Sequence, residues 1–171
     1  LNTQIAMGHD KLFRFSDFTL TSPKFRFSGD GVRKADGSFA IKGRGNHADY
    51  GPLAMTLTGV IDRPVVELAL DRPFDAAELA NVRVKLTPNA TGFAVVSSGQ
   101  SMLGAFDGVG QLLLPRTGGP SVRVDRLNVA GSTASGLIRL VNGALDGQLA
   151  LVGHGLSGEL LLNAEGGGQR I

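Results

Sequence analysis

The 171 residues are 42% hydrophobic and 19% charged, too apolar for wholesale disorder and long enough to bury a core as a single domain spanning 1–171. The absence of cysteine excludes a disulfide framework, a thiolate metal site and a cysteine nucleophile, and the 25 glycines show no collagen-like period. The net charge is only +2, with twelve arginines and five lysines that read as spread along the chain and few aromatics, so no nucleic-acid partner is expected.

In chain order the main signal is alternation with a period of two, the mark of a half-buried strand. Phe13 and Phe15 flank Arg14; Phe25 and Phe27 flank Arg26; Phe39 and Ile41 precede Lys42. Leu53, Met55 and Leu57 alternate with Ala54 and Thr56, and Val66, Leu68 and Leu70 enclose Glu67. Val82, Val84 and Leu86 enclose Arg83 and Lys85; Val122 and Val124 flank Arg123; Ile138 and Leu140 flank Arg139. Each segment therefore offers one apolar and one charged face, as in an antiparallel sheet wet on one side. Asp30-Gly31, Asp36-Gly37, Asp107-Gly108, Asn142-Gly143 and Asp146-Gly147 read as hairpin turns. The prolines fall mostly at segment edges, where a missing amide is tolerated.

Phe74–Asn81 is expected to form a short helical connector, with Asp75 as N-cap and Glu78 three residues on. Near the end, Gly-x-apolar-x-apolar blocks starting at Gly136, Gly147 and Gly158 lie 11 residues apart, a length that fits one strand plus one turn. A sheet that grows strand by strand is expected, with a plain meander as the alternative. Roughly twenty large apolar residues then share one face, each contributing about 1.5–3 kcal/mol when buried. The sheet must fold on itself, meet a second sheet or hold an apolar ligand.

No constellation points to catalysis, so the chain is not expected to be an enzyme. Gly153-His154-Gly155-Leu156-Ser157-Gly158 matches a dinucleotide fingerprint, but the following Glu159-Leu160-Leu161-Leu162 reads as a strand, and the motif requires a helix there. His9, His47 and His154 read as solvated loop residues, with no second pair at zinc spacing and no metal expected. The serines at 97, 98 and 101 lack a nucleophile elbow. The arginines between apolar residues read as a soluble outer face.

Gly92-Phe93-Ala94-Val95, Gly110-Gln111-Leu112-Leu113-Leu114-Pro115, Leu127-Asn128-Val129-Ala130-Gly131, Ala134-Ser135-Gly136 and Gly166-Gly167-Gly168-Gln169-Arg170-Ile171 resemble the TamB family. That family is the translocation-and-assembly-module inner-membrane subunit, related to AsmA-like proteins; the likeness is closest to alphaproteobacterial members, from about Arg72 onward. The resemblance implies an all-β fold, an elongated, mainly antiparallel sheet curled into a half-open trough with an apolar interior. It implies a periplasmic location for a parent protein anchored in the inner membrane by a segment absent here. It implies phospholipid passage between inner and outer membranes, support of outer-membrane protein assembly, and a TamA-like partner met by the parent chain rather than by this section. It implies no catalytic residue and no cofactor. The chain, opening on Leu1 and closing on Ile171, reads as an internal piece.

On this reading phospholipid acyl chains lie against Phe25, Phe27, Phe39, Ile41, Leu53, Met55 and Leu57 in the first half. Val82, Val84, Leu86, Phe93, Val95, Leu112 and Leu114 continue the lining, followed by Ile138, Leu140, Leu149, Leu151, Leu160 and Leu162. A charge at Leu149 or Leu151 is expected to block lipid while the sheet survives. The alternative is a structural β-solenoid or sandwich section of a surface protein, with a closed core and no lipid; no ladder of Asn or Thr stands out to support it. Pairing of an open strand edge with unfolded barrel proteins is a third reading.

Overall fold

The computed structural model describes residues 2–7, 12–48, 51–71, 78–117, 119–141, 144–153 and 156–164. They form strands β1 (Asn2–Met7), β2 (Phe13–Thr21), β3 (Phe25–Arg33), β4 (Phe39–His47), β5 (Gly51–Val60), β6 (Arg63–Leu70) and β7 (Ala80–Asn89). These continue as β8 (Gly92–Ser101), β9 (Gly104–Leu113), β10 (Ser121–Val129), β11 (Ser132–Val141), β12 (Ala144–Gly153) and β13 (Leu156–Ala164). The thirteen strands hydrogen-bond in chain order in one antiparallel sheet that is not closed, with no helix among the described residues, so the fold class is the expected one. Two compact units divide it: Leu1–Thr87 with Gly99–Met102, and Pro88–Ser98 with Leu103–Ile171.

In the first unit the alternation becomes a shared face through register. Phe27 lies across from Gly45, and Gly45 from Leu53; Ile41 pairs with Gly31 and with Leu57. Leu53, Met55 and Leu57 face Leu70, Leu68 and Val66, which in turn face Val82, Val84 and Leu86. Strand β2 breaks the period, since Phe15 and Phe18 are three residues apart and an unbroken strand would send them to opposite faces. A bulge repairs this: Phe15 pairs with Gly31 and Phe18 with Gly29, leaving two residues opposite Asp30. At the bulge Asp17 takes φ 51°. Its N–H donates to Asp30 Oδ1 at 3.1 Å.

The second unit uses the same device. Val124 and Leu127 are also three apart, and a bulge in β10 returns both to the face that carries Leu112, Ile138 and Leu149. The extra residue Asp125 accepts from Arg123 Nε at 2.8 Å. Between β10 and β11, Ala130 and Gly131 take φ 49° and 78°, the paired positive values of a two-residue hairpin whose twist matches the strands.

Of the five Asp-Gly or Asn-Gly pairs, only Asp36-Gly37 is described as a turn. There the Ser38 hydroxyl and N–H both donate to Asp36 Oδ1, at 2.6 and 2.9 Å. These bonds, the hydroxyl's first, hold the Asp36 carboxyl below its ordinary pKa. Asn142-Gly143 lies outside the described residues. Asp30-Gly31, Asp107-Gly108 and Asp146-Gly147 sit inside β3, β9 and β12, which corrects the turn assignment. In each the aspartate occupies the polar face and the glycine the apolar one.

The reason for glycine there is close approach. The Phe27 ring lies across Gly43 and Gly45, so a Cβ at Gly43 would stand 2.6 Å from Phe27 Cζ and 2.9 Å from the Gly29 Cα, and would also press on the Ser28 carbonyl. Gly43→Ala is therefore expected to destabilise the chain by about 1–3 kcal/mol, as overpacking does. Gly158→Ala is expected to be near neutral, because nothing lies within 4 Å of its Cβ position. Thermal melts of the two variants check this; equal stability would remove the close approach as the reason for glycine at 43.

The helix expected over Phe74–Asn81 is not found where the chain is described. Ala80 and Asn81 begin β7, and Glu78 is a turn residue with φ 48°, outside the helical region; residues 74–77 lie outside the description. Asn81 N–H donates to the Asp71 carbonyl at 2.9 Å, an extended closure rather than a helical one.

Candidate apolar face

In a single layer a residue becomes buried only if its neighbours lean over it. Phe27 does so: it is 2% exposed, with the Phe18 and Phe25 ring centroids 5.7 and 6.0 Å away. Val82, Ala134 and Leu149 are the other buried hydrophobic residues among those described. Phe25, Phe39, Ile41, Leu53, Met55, Leu57, Val84 and Leu86 share the Phe27 face and are half-buried.

In the second unit Leu112, Ile138, Leu149 and Leu151 share one face by register, and the backbone of Leu140, Leu160 and Leu162 occupies the same rows. Phe93 and Val95 are half-buried on β8, while Ala94 between them and Val96 after them are exposed. Leu114 lies past the end of β9 and is 50% exposed; its N–H donates to the Thr91 carbonyl at 3.1 Å. The 11-residue repeat takes on meaning here. Gly136 stands opposite Leu149, Gly147 opposite Ile138 and Leu162, and Gly158 opposite Leu151. Each repeated glycine thus faces a large aliphatic residue on the neighbouring strand.

The opposite face is polar. Glu67 and Lys85, directly across β6 and β7, form an ion pair at 2.9 Å, and Arg83 reaches Asp71 at 3.6 Å. On β9–β11, Asn128 Nδ2 donates to Asp107 Oδ2 and Thr133 Oγ1 donates to Asn128 Oδ1, both at 3.0 Å. This three-strand polar ladder was invisible in the sequence because its members are 21 and 5 residues apart and only the register joins them.

Two depressions open on this polar face. One of about 490 Å³ is lined by Asp17, Ser28, Asp30, Lys42, Arg44 and Ala54, with the backbone of Gly29 and Gly43. Another, of about 640 Å³, lies over β11 and β12 between Arg139 and Asp146. His47 is not a loop residue: it is half-buried on β4, its ring 6.3 Å from that of Phe25. His9 and His154 lie outside the described residues. Where the dinucleotide fingerprint needs a helix, Leu156–Ala164 is a strand. No cluster of three metal-ligating side chains occurs among the described residues. No family model, curated protein or solved structure matches the chain.

Proposed function

We propose that the apolar face of this sheet is a lining for phospholipid acyl chains, and that the chain is a section of a TamB-like periplasmic protein carrying lipid between membranes. The supporting observation is the half-burial of Leu53, Met55, Leu57, Leu68, Val84 and Leu86: they lie in register on one face, and no helix among the described residues covers it. An acyl chain needs such a dry surface and no specific polar anchor, and each methylene buried contributes about 0.8 kcal/mol. The family assignment, the periplasmic setting and any assembly role rest on the resemblance.

The test is mass spectrometry of lipid co-purifying with the chain from a bacterial periplasm. Wild type is expected to carry phospholipid. Leu57→Arg and Leu151→Arg, one in each unit and both half-buried, are expected to lose it while keeping the β-sheet circular dichroism spectrum. Lipid-free wild type, or folded variants that still carry lipid, would refute the acyl-chain reading.

The second reading is a structural sheet whose side chains close over themselves. It is favoured by the near-complete burial of Phe27, Ala134 and Leu149 and by the Asp107–Asn128–Thr133 ladder, a feature that stacked structural sheets share. It becomes the conclusion if the wild-type chain is well folded and free of lipid.

A further inference from the structure

The polar face is not electrostatically uniform. Residues 12–48 hold seven Lys and Arg against three Asp, a local excess of four in a chain whose total is +2. On β7 and β10 the described cations Arg83, Lys85 and Arg123 are each paired with a carboxylate, while Arg126 on β10, beyond the bulge, stands alone among the described residues. On β3 and β4 three are not: the side chains of Arg26, Lys42 and Arg44 make no hydrogen bond or ion pair among the described residues.

Register places these three together. Lys42 and Arg44 follow one another on the polar face of β4. Arg44 lies across from Ser28, and Arg26 across from Asn46, one step along the same face. Diagonal and same-strand neighbours of this kind are about 7–8 Å apart. Lys42 and Arg44 rim the 490 Å³ depression, and the Ser28 hydroxyl lies on its wall. Asp30, opposite Lys42, is engaged at the β2 bulge, where it accepts the Asp17 N–H. Asp17 and Asp30 line the same depression but form no ion pair with these cations among the described residues. Arg44, flanked by Lys42 along β4 and by Arg26 diagonally on β3, therefore lies among like charges that a bound anion relieves.

We infer that the polar face of β3 and β4 docks on an anionic lipid surface, with Arg26, Lys42 and Arg44 taking headgroup phosphates and the Ser28 hydroxyl donating into the same site. Nucleic acid is the poorer fit. Phe13, Phe15, Phe18, Phe25, Phe27 and Phe39 all lie on the opposite face, leaving no stacking platform among the cations. The site uses the face away from the proposed acyl lining, so the two readings can fail separately.

The test is flotation of the 171-residue chain with vesicles of phosphatidylglycerol mixed into phosphatidylcholine, against phosphatidylcholine alone. Binding is expected only to the anionic vesicles and is expected to fall with added salt. Each cation at an anionic leaflet contributes about fivefold, so Arg26→Gln/Lys42→Gln/Arg44→Gln is expected to lose roughly 100-fold. Arg83→Gln/Lys85→Gln/Arg123→Gln removes the same charge from ion-paired positions and is expected to bind nearly as wild type. Equal loss in both triple variants would reduce the effect to net charge and overturn the site. So would equal binding to neutral vesicles, or tighter binding of a short single-stranded DNA than of the anionic vesicles. Circular dichroism confirms that each variant is folded before its binding is scored.

Discussion

Phe27→Ala is expected to cost about 3–5 kcal/mol, the range for truncating a buried phenylalanine. The ring is 2% exposed although the sheet is one layer thick, because it lies on backbone that has no side chains. Gly43 and Gly45 supply the floor, and Phe18 and Phe25 flank it at 5.7 and 6.0 Å. Truncation leaves this floor open to water. Phe13→Ala, on the same face but 40% exposed, is expected to cost far less. Urea unfolding gives the comparison, and amide exchange locates it: protection is expected to drop along β2 to β5. If the two variants unfold alike, glycine-paved packing is not what secures this unit.

Leu149→Arg and Leu151→Arg are expected to part company. Leu149 is 6% exposed, set between Gly136 on β11 and Leu160 on β13 in register. A guanidinium there must either lose its water without a counter-ion or push its neighbours aside, and an uncompensated buried charge costs about 3–5 kcal/mol. Leu151 is only half-buried and stands between Ala134 and Gly158. An arginine at 151 has room to lay its methylenes on the sheet and carry its head to water. The expectation from sequence that a charge at either site spares the sheet therefore survives only at 151. Chemical denaturation of the two single variants checks the difference, and equal midpoints would refute it.

The strand pattern was legible because one physical cause, a face turned from water, acts on every second residue. Proline position was legible for the same local reason: Pro52 and Pro64 are second residues of β5 and β6, and Pro88 is next to last in β7. What failed was reading Asp-Gly as a turn. Glycine adopts turn geometry easily, but it also permits a ring or a backbone to approach, and a local dipeptide does not distinguish the two. The bulges did carry a signal: Phe15 with Phe18 and Val124 with Leu127 are apolar pairs at a spacing that no unbroken strand can place on one face. The Asp107–Asn128–Thr133 ladder and the cations at 26, 42 and 44 carried none. Spacing along the chain hides them, and only the pairing of strands brings them side by side.

Among the described residues, every strand pairs with its neighbours in the chain and with no others. Such a sheet can be laid down in the order of synthesis. As each hairpin leaves the ribosome, the last strand already in place offers its free amides and carbonyls as a template for the next. Closing each pair fixes a connection of at most nine residues, which keeps the entropic toll of every step small. The vulnerable point is then a travelling one. At any moment one growing edge is unsatisfied, and it is the place where a chaperone would have to stand guard.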